Sequence, residues 1–407
     1  MLSYAVHLHQ SGHDVTVVLL YSPTSDDPYL RRMREVGIPV SCIISRSFFF
    51  AMMRVLRNLL SAVFIFLFLL KGVPERLGKF WQVALDLISR RHYRDCVSYF
   101  AATRPDLLHV FTPDTGAALM IRAGHGLGIP VLYHELGTPY HMPMLKNYYR
   151  RLEKVLPFCD EVAALSPQLA ADWSRRLRFL ESVSVLPLII ESCNPLNLGP
   201  QIRSNEIVFG FAARLEQGKG PLVLLNALAR LNRERFLGIA RIAGVGPQLL
   251  EVKARARQLE LGEACEFVGY YTDTLGRSSF LSSLDVFVLP SLAEGTPNSI
   301  IEAMTHGLPI IASAVGGIPD LLSEESGILV PPGDDVALAQ AMERLASDPD
   351  LRARMGRAAR ERYLDLFSPE AVLPVLRNTY LRLASRTPPA TASAERVAHP
   401  WEVAPEF

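Results

Sequence analysis

Residues 285–302 read Asp285-Val286-Phe287-Val288-Leu289-Pro290-Ser291-Leu292-Ala293-Glu294-Gly295-Thr296-Pro297-Asn298-Ser299-Ile300-Ile301-Glu302. The apolar run before Pro290 predicts a buried strand. A glycine-bearing turn and a helix start follow, and the helix runs on toward Ala303-Met304-Thr305-His306-Gly307. Thr296 is expected to cap the first turn. Pro297 is expected at the first helical position, where its missing N–H costs nothing. Free backbone N–H groups at such a start make a site for an anion, with phosphate the first candidate. Glu294 precedes the helix and Glu302 falls on its second turn, a carboxylate on either side. A diphosphate with two sets of hydroxyls, as in a nucleotide-sugar, suits that pattern. An ordinary βα unit with two solvated glutamates fits it as well.

Composition narrows the field. The chain has 407 residues, which predicts two domains of about 150–200 residues each. Nearly half the residues are apolar, enough for two cores, and the formal net charge is +1. That balance leaves no electrostatic footprint for nucleic acid. Cys42, Cys96, Cys159, Cys193 and Cys265 are scattered without a C-x-x-C pair. This argues against a zinc site or a disulfide framework, and fits a reducing compartment. No signal-peptide pattern opens the sequence, since Met1-Leu2-Ser3-Tyr4 leads into a predicted helix.

One stretch, 48–70, bears on membranes. Phe48-Phe49-Phe50-Ala51-Met52-Met53 is followed by Arg54 and Arg57, then by an apolar run from Leu59 to Leu70. A spanning helix needs about 20 apolar residues, more than this run supplies. Basic residues beside a phenylalanine- and leucine-rich face favour a helix lying in the membrane interface. A buried helix and a true span stay open.

Strand-like and helix-like segments alternate through both halves. The first half has predicted strands at 14–20, 40–44, 107–111, 130–133 and 161–165, and predicted helices at 3–10, 80–103, 117–126 and 148–156. A linker is expected around 187–204, rich in proline, asparagine and glycine. The second half restarts the pattern, with strands at 207–211, 239–243, 265–268, 285–289, 309–313 and 328–330. Helices are predicted at 221–232, 247–259, 297–306, 319–322 and 336–346. This alternation predicts an α/β protein of two doubly wound, Rossmann-like domains, each a parallel sheet covered on both faces. We place the domains at 1–190 and 205–370, and expect 385–407 to be a disordered tail. Such sheets bind ligands at the carboxyl ends of their strands, so a cleft between the domains is the expected site.

Four motifs then carry a family resemblance. They are Gly210-Phe211-Ala212-Ala213-Arg214-Leu215 with Lys219-Gly220; Ala243-Gly244-Val245-Gly246-Pro247; Phe267-Val268-Gly269-Tyr270 with the 285–291 run; and Glu294 to Glu302 with Gly307 to Ser313 and Gly316 to Asp320 behind it. Together they span about 205–335 and resemble the nucleotide-sugar-binding domain of family 4 retaining glycosyltransferases, which have the GT-B fold. The resemblance implies that Arg214 and Lys219 hold the donor diphosphate, Glu302 the ribose hydroxyls, and Glu294 the donor sugar. It implies that Gly295, Thr296, Pro297, Asn298 and Ser299 meet the phosphates or sugar. It sets Gly316 and Gly317 near the nucleotide, where a plain turn fits equally, and Tyr270 near the base. Two cations after a glycine-containing strand end suit phosphate on their own chemistry too.

The first half is similar to the family's acceptor domain more loosely. Val131-Leu132-Tyr133-His134 resembles the strand that brings a histidine to the donor sugar, so His134 joins Glu294, Arg214 and Lys219 as a candidate catalytic residue. His109 is expected to orient backbone. The family opens on a strand and a glycine-rich loop before its first helix. Here Met1 falls at or inside that helix, so the first strand of the acceptor domain is expected to be missing from the sequence, by an upstream start or by shortening. The implied activity is metal-independent transfer of a hexosyl group from a nucleotide-diphospho-sugar to a glycan or lipid-linked acceptor, with retention and no cofactor. Envelope or extracellular glycan synthesis is the expected setting, in the cytoplasm or at the inner face of the membrane. A nucleotide-sugar epimerase of similar fold and an inactive nucleotide-sugar-binding protein are the rival readings.

Overall fold

The computed structural model describes residues 2–21, 27–44, 75–111, 115–137, 153–177, 182–192, 206–233, 238–271 and 273–385. The apolar stretch 48–70, Cys193, most of the expected linker and the tail from 386 lie outside the described residues. The backbone divides into two compact units. One comprises Met1–His134, Asn147–Val162 and Arg377–Phe407, and the other Glu135–Lys146 and Ala163–Leu376.

The first unit opens with α1 (Leu2–Gln10), β1 (Val17–Tyr21), α2 (Pro28–Val36) and β2 (Val40–Ile44). β1 and β2 pair in parallel as a two-stranded sheet, Val17 opposite Val40. Val6, Met33 and Ile38 form a small core from α1, α2 and the turn before β2. Then come α3 (Glu75–Thr103), β3 (Leu108–Val110), α4 (Thr115–Gly126) and β4 (Val131–Glu135). β5 (Glu161–Ala164) follows, and the chain passes into the second unit with α5 (Pro167–Arg176) and β6 (Ser184–Val185). The order β3-β4-β5-β6 makes a four-stranded sheet whose β3–β4 and β5–β6 pairs are parallel.

The rest of the chain builds β7 (Ile207–Ala212), α6 (Pro221–Arg233), β8 (Gly238–Ala243), α7 (Leu249–Gln258) and β9 (Cys265–Gly269). It continues with α8 (Thr274–Ser282), β10 (Val286–Leu289), α9 (Asn298–Thr305), β11 (Ile310–Ser313), α10 (Ile318–Leu321) and β12 (Gly327–Val330). Three helices close it: α11 (Asp335–Ser347), α12 (Pro349–Leu366) and α13 (Pro369–Ala384). The sheet is parallel, in the order β12-β11-β10-β7-β8-β9. Every residue of β10 and β11 is buried, as central parallel strands covered on both faces require. Strand order reverses between β7 and β10. With right-handed crossovers, that reversal sends the connecting helices to opposite faces and opens a crevice at the strands' carboxyl ends.

Two details of the predicted helix start are corrected. α9 begins at Asn298, so Pro297 is the N-cap (φ −73°, ψ 118°) and not the first helical residue. Thr296 does not cap it: no side chain bonds the first turn, and Thr296 Oγ1 is buried without a partner. The cause is local, because an extended Pro297 pushes Thr296 one residue too far back to reach the amides a cap must meet. Helices α2, α5, α8, α12 and α13 are absent from the sequence-based reading. α8 does carry its signal: Asp273 caps it, accepting from the Gly276 N–H at 2.7 Å.

Candidate donor site

The loops after β7 and β10, neighbours at the reversal, are fastened to each other. The Gly218 carbonyl accepts from the N–H groups of Leu292 (2.8 Å) and Ala293 (3.3 Å). Gly220 has φ +67°, and a Cβ there would lie 2.0 Å from the Pro290 carbonyl oxygen, so only glycine allows this approach. A 3-10 turn at Gln217–Lys219 then aims Lys219 across the gap.

Lys219 Nζ donates to both oxygens of Glu294, each at 2.8 Å, across 75 positions of sequence. Ser291 Oγ, fully buried, donates to Glu294 Oε1 at 2.8 Å. Glu294 itself is buried, so its charge is balanced in a region of low dielectric. Arg214 is different. Its side chain is 69 % exposed and lies 3.4 Å from Glu216, a loose surface pairing that leaves the guanidinium able to turn to a ligand. Glu302, on the second turn of α9, accepts from Arg277 Nη1 at 2.7 Å, and the Tyr271 hydroxyl lies near enough to favour its ionised form. Burial pushes its carboxyl above the ordinary range, and Arg277 and Tyr271 draw it part of the way back.

These groups surround a recess of about 440 Å³ lined by Ala212, Ala213, Arg214, Lys219, Leu136, the run Glu294 to Ser299, and Glu302. That volume is within the range of small-molecule sites. The unpartnered Thr296 hydroxyl belongs to this lining, a buried polar atom that a ligand could complete. Behind it, Gly317 N–H donates to the Gly295 carbonyl at 2.8 Å. Gly316 (φ +56°) passes so close that a Cβ would fall 1.9 Å from the Glu294 carbonyl oxygen. Gly316 and Gly317 therefore brace the turn that carries Glu294.

Eight of the nine residues assigned to donor binding from their motifs line this recess together with Glu302, which is the ninth. His134 is not part of that lining. It is fully buried near the end of β4 in the other unit, stacked on His109 (centroids 5.4 Å, interplanar angle 10°) and close to Tyr4 and Phe111. His109 bonds Tyr380 at 2.6 Å through Nδ1, and burial, then the neighbouring His134, hold its ring neutral well below the usual range. Tyr270 is 63 % exposed beyond β9. Three supporting residues had no assigned role: Ser291, Arg277 and Tyr271. Ser291 was visible in its motif, but its hydroxyl gains a purpose only once the turn brings Glu294 back over it. Among the described residues, no group of three or more His, Cys, Asp or Glu is placed to hold a metal ion.

Fold and recess define a doubly wound α/β protein with an anion-suited pocket at a topological switch point. Residues 199–362 match the family described as Glycosyl transferases group 1, and residues 1–188 match the Glycosyl transferase 4-like domain. The chain belongs to these group 1, family-4-like glycosyltransferases of GT-B fold. Among its relatives is WcaL of Escherichia coli K12, a glycosyltransferase whose name links it to colanic acid biosynthesis, 28 % identical over 253 residues, 60 % of each chain. The chain thus spans about three fifths of that relative's length. Among solved structures, Anabaena HepE in complex with UDP superimposes with a TM-score of 0.72 at 19 % identity, covering 94 % of this chain and 96 % of that one. A glycosyltransferase from Rickettsia africae gives 0.71 at 18 %, covering 94 % and 93 %.

Proposed function

We propose that this chain is a retaining glycosyltransferase that moves a hexosyl group from a nucleotide-diphospho-sugar to an acceptor hydroxyl without a bound metal. The observation that carries this reading is the recess at the sheet's reversal, with Arg214, Lys219 and the α9 start on one ligand-sized volume between the buried Glu294 and the half-buried Glu302. Arg214 and the amides of Asn298 and Ser299 meet the diphosphate. Lys219 has three donor hydrogens; two go to Glu294, which leaves one for a phosphate oxygen. Glu302 takes the ribose hydroxyls, Glu294 the sugar, and the Thr296 hydroxyl the nearest donor oxygen. His134 meets the sugar beside the reacting carbon.

The chemistry follows from charge. The bond between the anomeric carbon and the phosphate oxygen breaks, and both electrons leave with the diphosphate. Arg214, Lys219 and the helix start stabilise that developing charge. The acceptor oxygen bonds the same face of the sugar while its proton passes to the departing phosphate, so configuration is retained. HepE structures hold UDP and UDP-glucose, which supports a uridine nucleotide as the first donor to try. WcaL's name supports an envelope or extracellular glycan as product. The acceptor is a glycan or a lipid-linked glycan, met at the cytoplasmic face of the membrane with help from 48–70. Among the described residues no helix is long and apolar enough to cross a membrane.

The test is incubation with a panel of nucleotide-sugars and an extracted glycan and glycolipid fraction, with the product linkage read by NMR. Retention of the donor's anomeric configuration is expected. Inversion would overturn the mechanism, and conversion of the sugar with no acceptor present would favour the epimerase.

A further inference from the structure

The two carboxylates of the recess are held by different means. Glu294 is fixed by Lys219 and Ser291, both inside the recognised motifs. Glu302 is fixed from outside them. Arg277, the fourth residue of α8, reaches Glu302 Oε1 at 2.7 Å, and Tyr271, just ahead of α8, lies beside the same carboxylate. The pair is shielded, with 21 % of the Arg277 side chain and 15 % of the Glu302 side chain exposed. Neither Arg277 nor Tyr271 lines the recess, so each acts on a ligand there through Glu302. A carboxylate has about four acceptor sites. Arg277 occupies one, which leaves room for the two O–H donors of a vicinal diol.

We propose that Arg277, assisted by Tyr271, is a positioning residue that holds the Glu302 carboxylate in the geometry that accepts the ribose hydroxyls of the donor, and so sets donor affinity. This rests on the reading that Glu302 takes the ribose. The charged and titratable groups around Glu302 divide cleanly. Arg277 bonds the carboxylate, and Tyr271 lies beside it. Lys219, Glu294 and Arg214 line the recess with it. His306, at the end of α9, bonds Ser278 Oγ at 3.1 Å and Thr305 Oγ1 at 2.9 Å, with burial the main cause lowering its pKa. Arg360 of α12 donates to the Thr305 carbonyl. Burial raises the Glu302 pKa and Arg277 lowers it, so loss of Arg277 moves it further up. Ribose binding needs the ionised carboxylate and is lost as pH falls through that pKa. Without Arg277 the loss therefore begins at higher pH.

The experiment measures calorimetric affinity for whichever of UDP, GDP and ADP binds the wild type most tightly, and for its 2′,3′-dideoxy analogue. Wild type should prefer the ribonucleotide by about 10- to 100-fold, the worth of hydrogen bonds to a charged group. Glu302→Gln should abolish most of that ratio. Arg277→Met should reduce it to within about threefold, with the dideoxy affinity unchanged and the acid limb shifted upward. Arg277→Lys should keep an intermediate ratio. If Arg277→Met keeps the wild-type ratio and pH profile while Glu302→Gln loses the ratio, the proposal is overturned and the ribose reading stands. If wild type does not discriminate, or binds none of the three nucleotides, the ribose reading falls and the proposal with it. Should Arg277→Met not fold, Tyr271→Phe and Arg277→Lys decide: a ratio unchanged in both overturns the proposal.

Discussion

Thr296 shows how much a single atom can say about a site. A buried hydroxyl left unpartnered costs about 1–3 kcal/mol relative to a satisfied one. Thr296 Oγ1 carries that cost in the ligand-free fold, and it lines the recess. Thr296→Val keeps the shape and removes the polar atom. The free protein should melt at the same temperature or a few degrees higher, while donor affinity falls about 5- to 10-fold through the lost hydrogen bond. A lower melting temperature with unchanged donor affinity would show the hydroxyl to be structural. Glu294 makes the complementary point. Removing Lys219 leaves a buried carboxylate uncompensated, at about 3–5 kcal/mol. The lysine is therefore read best in the pair Lys219→Ala and Lys219→Ala/Glu294→Gln, where the second change relieves the stranded charge.

Elements set what those residues can meet. Helix α9 is placed by Ile300, Ile301, Ala303 and Met304, all buried, but its start is aimed by the loops around it. Gly316 is the tightest of these supports. Gly316→Ala would put a Cβ against the Glu294 carbonyl and demand a left-handed backbone from alanine. We expect donor affinity to fall at least tenfold with circular dichroism near wild type, because the clash is confined to the turn. Wild-type affinity would mean that the turn relaxes and that Gly316 does not brace the site. The strands of the second half were legible because their apolar runs are short, dense and bounded by proline or glycine, as at Val286–Leu289 and Ile310–Ser313. Helix α8 was not, since Thr274–Ser282 sets three serines and a glycine among only three large apolar residues. That omission hid Arg277, whose partner is 25 positions away and set by packing, not by spacing. Lys219 and Glu294 were named as site residues, but their ion pair was invisible, because it depends on β7 and β10 being neighbours.

Across the whole molecule, the proposed donor recess sits at the six-stranded sheet's reversal, which leaves acceptor choice to the remainder of the chain. The stretch 48–70 is the feature with most to say about where an acceptor is met. If it lies in a membrane interface, the protein should sediment with vesicles containing anionic lipid, and Arg54→Glu/Arg57→Glu should release much of it as charge attraction is lost. Equal recovery of both proteins in the supernatant would remove the membrane from the picture. In the proposed mechanism Arg214 and Lys219 hold and discharge the donor diphosphate with no metal. Nucleotide release from the best nucleotide-sugar, with the extracted acceptor fraction and excess EDTA, by wild type and Arg214→Ala decides whether they do. Wild type should keep full turnover under EDTA, and Arg214→Ala should lose it on the order of 100-fold with the fold intact. Undiminished turnover in Arg214→Ala, or wild-type turnover abolished by EDTA and restored by a divalent cation, would contradict that mechanism.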